Sequence, residues 1–252
     1  MTAGGGARAR AAGIDAPPPP TLPELAAHLG ALLGADRYAA SEHGVALAAD
    51  RPVARLGVAL DGTGAAAEWS RSERLDALWL HRPWQLPTAE LAPGTGVCFT
   101  HLPFDDRLTT GLNPRLATAL ECTDVEPFAF KDGRTLGMLA RCEPRSPDGL
   151  RDALAAVFGG LDAWVDGADD GPVRRVAVVG AMNEAFVRDA AARGAALYVT
   201  GQLRAPALAA VRETGIGVAA VGHGRSEAWG MRALAGLLRE RWAGLDVRLL
   251  PP

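Results

Sequence analysis

Between residues 176 and 242 one unit recurs three times, a short apolar run followed by a helical stretch. VAVVG (residues 176–180) leads into a helix from about Asn183 that stops at Gly194, and LYVTG (197–201) into one that stops at Gly215. GVAAVG (217–222) then feeds a last helix from Ser226 to about Trp242. Each run has the length of a buried strand, and both glycines stand where a left-handed helix cap is needed. Strands alternating with helices at this spacing build βα units around a parallel sheet, which places the chain in the α/β class.

The first half reads the same way with weaker punctuation. Thr21-Leu-Pro23-Glu24 has the form of a capping box, and Leu25, Leu29, Leu32 and Leu33 follow at helical spacing. Runs at 54–60, 75–80 and 97–100 are strand-like, the first closed by an Asp61-Gly62 turn, and a helix is expected over 113–120. A hairpin around Lys131-Asp132-Gly133 and a helix over 148–158 connect the halves. A boundary near residue 125 then gives an N-terminal α/β domain over 21–125 and a C-terminal one over 126–252. The first twenty residues, rich in small residues and ending in four prolines, read as a disordered tail.

Composition removes several classes of function. A net charge of −3, a pI near 6.0 and scattered arginines offer no field for a nucleic-acid backbone. No stretch approaches the ~20 apolar residues of a membrane span, and the N-terminus lacks the apolar core of a signal peptide. Cys98, Cys122 and Cys142 are odd in number and form no CxxC pair, so small core hydrophobes in a reducing cytosol are expected, not disulfides or a thiolate cage. A soluble cytoplasmic protein fits these features.

The chemistry lies at the strand ends. Of five histidines, three follow a predicted strand: His81, His101 and His223. Ligands of open parallel sheets gather beyond the carboxyl ends of the strands, so these imidazoles can converge. Two have a carboxylate four residues on, Asp105 and Glu227, and both segments read as loops, the first because it contains Pro103 and the second because Ser226 is placed to cap the last helix. Imidazole and carboxylate without thiolate suit zinc, manganese, iron, cobalt or nickel, one or two ions per chain. Plainer readings exist: Glu227 favours a helix N-terminus on charge alone, Asp105 beside Asp106 fits a solvated turn, and Asp61-Gly62-Thr63-Gly64 lacks the lysine of a phosphate loop. His28 and His43 read as ordinary core or surface residues.

At these residues the sequence resembles the NIF3-like family, also known as GTP cyclohydrolase 1 type 2 homologs. Leu75 to Pro83, ending His81-Arg82-Pro83, is similar to the family's strand followed by His-His-Pro, and His101-Leu-Pro-Phe-Asp105 to its His-Thr-Asn-Leu-Asp signature. Thr200-Gly201-Gln202 and Gly222-His223-Gly-Arg-Ser226-Glu227 resemble its Thr-Gly-Glu turn and Gly-His-x-x-Thr-Glu signature. The resemblance implies two similar α/β domains with a dinuclear site at their interface, held by His81, His101, Asp105, His223 and Glu227, and a ring-shaped homohexamer. It also shows departures. Arg82 stands where a second histidine is expected, Gln202 replaces an acid, and the family's Trp-Asp-Asn stretch is reduced to Glu42-His43-Gly44. Arginine offers no lone pair to a metal, so Arg82, with Gln202, is expected to contact substrate instead. The function implied is a metal-dependent hydrolase of a nucleotide-like or other polar small molecule, with a non-catalytic metal-binding scaffold as the rival.

Overall fold

The computed structural model describes residues 18–251, so the expected tail lies outside the described residues except for its last three prolines. In chain order the elements are α1 (Leu22–Leu33), β1 (His43–Leu47), β2 (Arg55–Asp61), α2 (Gly64–Ser72), β3 (Ala77–Arg82), β4 (Gly96–Thr100), α3 (Leu102–Leu108) and α4 (Pro114–Ala119). There follow β5 (Cys122–Lys131), β6 (Arg134–Arg145), α5 (Pro147–Phe158), β7 (Ala163–Val165), β8 (Val173–Val179) and α6 (Glu184–Ala192). The chain ends with β9 (Leu197–Thr200), α7 (Leu208–Thr214), β10 (Gly217–Ala220), α8 (His223–Arg241) and β11 (Asp246–Leu249).

Two sheets carry the fold. The first has the order β1-β4-β3-β2-β11, parallel except for antiparallel β1 at its edge. The second has the order β5-β6-β8-β9-β10-β7, with β8, β9 and β10 parallel and antiparallel neighbours outside them. The three βα units are the parallel heart of this second sheet, and Gly194 and Gly215 both have the positive φ of left-handed caps. The capping box of α1 is formed: the Thr21 hydroxyl accepts from the Glu24 amide, and the Glu24 carboxylate accepts from the Thr21 amide at 2.7 Å. Leu22, Leu25, Leu29 and Leu33 then bury one face of α1 against the first sheet.

One expectation about the cysteines is overturned. Cys122 and Cys142 are directly opposite in the β5–β6 register and are joined as a disulfide, although they lie 20 residues apart. Only Cys98 is a free core thiol among the described residues, and burial pushes its pKa up to about 12. No helix among the described residues is long and apolar enough to cross a membrane.

α8 leaves the second sheet after β10, runs 19 residues and delivers the chain to β11 of the first. On the way it presses against α3 at Gly230, where a Cβ would lie 2.8 Å from the Leu108 carbonyl oxygen and 2.8 Å from the Phe104 ring. Close helix contact therefore needs the missing side chain. A second tie is polar: the Asp106 carboxylate of α3 accepts two bonds from the Arg134 guanidinium of β6, at 2.7 and 2.8 Å, and one from the Tyr38 hydroxyl at 2.8 Å. Burial, with the Asp106 bond adding to it, pushes the Tyr38 pKa up to about 12.

Gly230→Ala should lower stability by about 1–3 kcal/mol through overpacking, whereas Gly224→Ala, facing open space in the same helix, should be neutral or gain up to ~1 kcal/mol from helix propensity. Urea denaturation of both variants checks the contrast, and equal effects would refute the close-contact reading. A second expectation concerns the chain's two tyrosines. Burial raises the Tyr198 phenol as well. Because both pKa values are raised above the ordinary 10.0, the neutral phenols contribute stability that is complete below pH 10.0 and is lost as pH climbs toward about 12. Phenolate absorbance should therefore stay absent near pH 10.0 and appear together with loss of the fold; a folded-state midpoint at pH 10.0 would contradict this.

Candidate metal centre

β3 runs through the middle of the first sheet, so the residues near its carboxyl end are covered on both sides. His81 is 0% exposed. Its Nδ1 lies 3.3 Å from the Thr100 carbonyl oxygen of β4, which can only accept, so the ring proton belongs on Nδ1 and the Nε2 lone pair points the other way. Nε2 faces two carboxylate oxygens, Asp105 Oδ1 and Glu227 Oε1, each at 3.4 Å, and has no hydrogen-bond partner. A buried lone pair aimed between two anionic oxygens is unfavourable unless a cation lies among them.

The carboxylates arrive on helices, which corrects the expectation of loops. His101 caps α3, and Asp105 sits in its first turn, with the Asp105 amide donating to the His101 carbonyl at 3.1 Å. Pro103 is compatible because the nitrogens of the first turn have no intrahelical acceptor, so a proline there costs no bond. α8 likewise starts at His223 and not at Ser226, so His223 and Glu227 are one turn apart, with His223 Nε2 3.3 Å from Glu227 Oε1. His101 Nε2 is 4.0 Å from Asp105 Oδ2, while its Nδ1 bonds the Glu42 carboxylate at 2.7 Å. Glu42 thus orients the ring and leaves Nε2 facing the cluster, the way a carboxylate supports a ligating histidine.

The donors of His81, His101 and Asp105 all lie within 4.8 Å of one another, which makes them a metal-sized group. Glu227, 3% exposed, closes the group from α8, and His223, 67% exposed, stands at its open side. Burial would lift the Glu227 carboxyl, but the groups around it, of which the Arg82 guanidinium donates to it at 2.6 Å, outweigh burial and hold its pKa at about 2. The Asp105 carboxyl moves upward, chiefly from burial, against the pull of His81 and His101. The donor set of imidazole nitrogens and carboxylate oxygens therefore fits a divalent transition ion.

Arg82 turns toward the cluster, not away. Its Nη1 donates to Glu227 Oε1 at 2.6 Å and its Nε to Asp61 Oδ1 at 2.6 Å. Asp61 and Arg82 are register partners on parallel β2 and β3, so the pair is fixed by the sheet itself. Gln202 lies on the loop after β9, where its amide oxygen accepts from Arg204 at 3.2 Å. Glu42 and Asp61 are the site residues that sequence reasoning does not assign. The signal for Asp61 is its place at the end of a strand adjacent to the one that ends in Arg82.

Residues 93–250 match the family model described as Duf34/NIF3 (NGG1p interacting factor 3). A protein of Allochromatium vinosum named GTP cyclohydrolase 1 type 2 homolog is 27% identical over 227 residues, spanning 84% of this chain and 88% of its own. One of Halobacterium salinarum with the same name is 28% identical over 221 residues, 80% of this chain and 85% of its own. Among solved structures, TTHA1606 from Thermus thermophilus shares the fold with a TM-score of 0.71 at 23% identity, covering 91% of this chain and 97% of that one. Reduced HcgD from Methanocaldococcus jannaschii shares it at 0.70 and 18% identity, covering 92% and 98%. Since the matched segment is more than half of its length, the chain belongs to the Duf34/NIF3 family.

Proposed function

We propose that the protein is a metal-dependent hydrolase that binds one divalent ion through His81, His101 and Asp105, with Glu227 and His223 facing the same point. The observation that carries this reading is the buried, unpartnered His81 Nε2 between two carboxylate oxygens. A divalent ion bound there supplies Lewis-acid activation of water and of a polar substrate bond. The chain's own residues do the rest. Glu42 fixes the His101 ring, Phe104 packs against His81 at 4.8 Å and shields it, and Trp84 covers the His101 edge at 5.0 Å. His223, exposed at the open side of the group, is the imidazole within reach of a substrate. The names of the relatives favour a nucleotide-like substrate.

One ion, not two, follows from Arg82. Its guanidinium already holds Glu227 Oε1 at 2.6 Å, offers no lone pair, and stays charged at every physiological pH. Two-metal sites place their ions about 3.5–4 Å apart, and a fixed cation already bonded to Glu227 disfavours a second ion. Arg82 thus stands in for that ion, a permanent charge against which developing negative charge can be stabilised. The same observation favours a second reading, a non-catalytic metal-binding scaffold, because a guanidinium activates no water. Assembly as a homohexamer rests on the family resemblance.

Protein purified without chelator should carry about one transition ion per chain by elemental analysis, and folded His81→Ala and Asp105→Asn variants should lose at least about tenfold in metal affinity. Wild-type metal content in both variants would remove the assignment. Arg82→His should raise stoichiometry toward two in calorimetric titrations with manganese and zinc. If wild type already binds two ions and the variant changes nothing, the stand-in role is wrong. Screening the loaded protein against nucleotides separates hydrolase from scaffold.

A further inference from the structure

A cavity of about 450 Å³ opens beside the metal-sized group, within the range of small-molecule sites. Asp105 and His223 form one wall, and the loops after β8 and β9 form another, where the parallel strands of the second sheet end. The tip of the β5–β6 hairpin closes the far side with Lys131 and Arg134.

Three carboxylates, Asp105, Asp106 and Asp132, and three fixed cations, Lys131, Arg134 and Arg204, line this space, but they are paired unevenly. Asp106 is saturated by Arg134 and Tyr38, which neutralises both Asp106 and Arg134. Asp105 belongs to the metal-sized group. That leaves Lys131 and Arg204 as cations and Asp132, next to Lys131 in the turn, as the one remaining acid. Among the described residues neither Lys131 nor Arg204 pairs with a carboxylate, and the Arg204 guanidinium donates only to the Gln202 amide oxygen at 3.2 Å. Two cations come from separate segments, a hairpin tip and a strand-end loop, and face one space. Such groups bind an oxyanion by charge-assisted hydrogen bonds.

We infer that Lys131 and Arg204 form the subsite for an oxyanion of the substrate, a phosphate ester or a carboxylate, held in this cavity while the bond to be cut lies near Asp105 and His223. This deepens the hydrolase reading and rests on it for the identity of the ligand as a substrate. The β5–β6 hairpin tip and the loop after β9 are then the segments that select the substrate, distinct from those that hold the ion.

The test uses metal-free full-length protein, so that the anion cannot be bound through the ion. Inorganic phosphate and succinate are titrated by nuclear magnetic resonance into wild type, a Lys131→Ala/Arg204→Ala variant and a Lys131→Arg variant. Wild type should bind at least one of the two anions with shifts at residues lining the cavity. The double variant should bind it at least about tenfold more weakly, and Lys131→Arg should retain it. Preference for phosphate assigns a phosphate ester, and preference for succinate a carboxylate. Metal content, measured separately, should be equal in wild type and the double variant. A protein that holds no metal but loses phosphate binding in the double variant would sink the hydrolase reading and keep this subsite. If neither anion binds wild type more tightly than the double variant, the subsite does not exist, whatever the metal content.

Discussion

The arrangement depends on how closely α8 can approach α3. A helix pair normally keeps its axes about 8–10 Å apart because side chains intervene. At Gly230 there is none, and the Leu108 carbonyl and the Phe104 ring occupy the space. Glu227 lies one turn before Gly230 on α8, and Asp105 lies between Phe104 and Leu108 on α3. The contact that lets the helices touch therefore also draws the two carboxylates together over the end of β3. Because α8 starts beside the second sheet and ends at a strand of the first, it ties the sheets to one another through this contact.

What that geometry creates is an electrostatic debt at His81. An unmade hydrogen bond to a buried polar atom costs about 1–3 kcal/mol, and two facing carboxylates add their mutual repulsion. Arg82 and its register partner Asp61 relieve part of it: one guanidinium neutralises Glu227 from the side while Asp61 holds the guanidinium in place. Nothing among the described residues plays that part for Asp105, whose carboxyl is pushed up by burial where Glu227 is pulled down to about 2. The two acids thus have opposite environments, one satisfied by a fixed cation and one not.

Much of this is legible in the sequence, and the omissions have physical causes. The βα units of the second sheet show because their strands are buried on both faces and read as unbroken apolar runs. β1 and β11 are edge strands with half-exposed residues, and α2 is nine residues of mostly small and polar side chains, so none of them carries a clear period. The Cys122–Cys142 bond is a property of hairpin register, which neither the count nor the spacing of cysteines encodes. At the site, His81 and Glu227 are visible as strand-end and turn residues, but the segments around Asp105 and Glu227 read as loops. Pro103 has the look of a helix breaker and is a first-turn residue, and the last helix begins at His223 after a Gly222 cap, not at Ser226. Glu42 and Asp61 are hidden because each acts across the sheet on a residue distant in sequence, at 2.7 Å on His101 and 2.6 Å on Arg82.

The site is also lopsided, and the asymmetry sets the direction from which anything can reach it. On the first-sheet side His81 is sealed beneath Phe104, with Trp79 packed against that ring at 5.1 Å, and Trp84 stands edge-on to His101. On the second-sheet side, Asp105 and the exposed His223 border the cavity. The open side of the group therefore faces the loops of the second sheet, while His81, His101 and Asp105 come from β3, the end of β4 and α3. In the proposed reading, holding the ion and choosing what meets it fall to different segments of chain. Of the hairpin residues that line the cavity, Arg134 is also the one that holds α3 through Asp106, so it couples the two sides, whereas among the described residues Lys131 and the loop after β9 make no such bond.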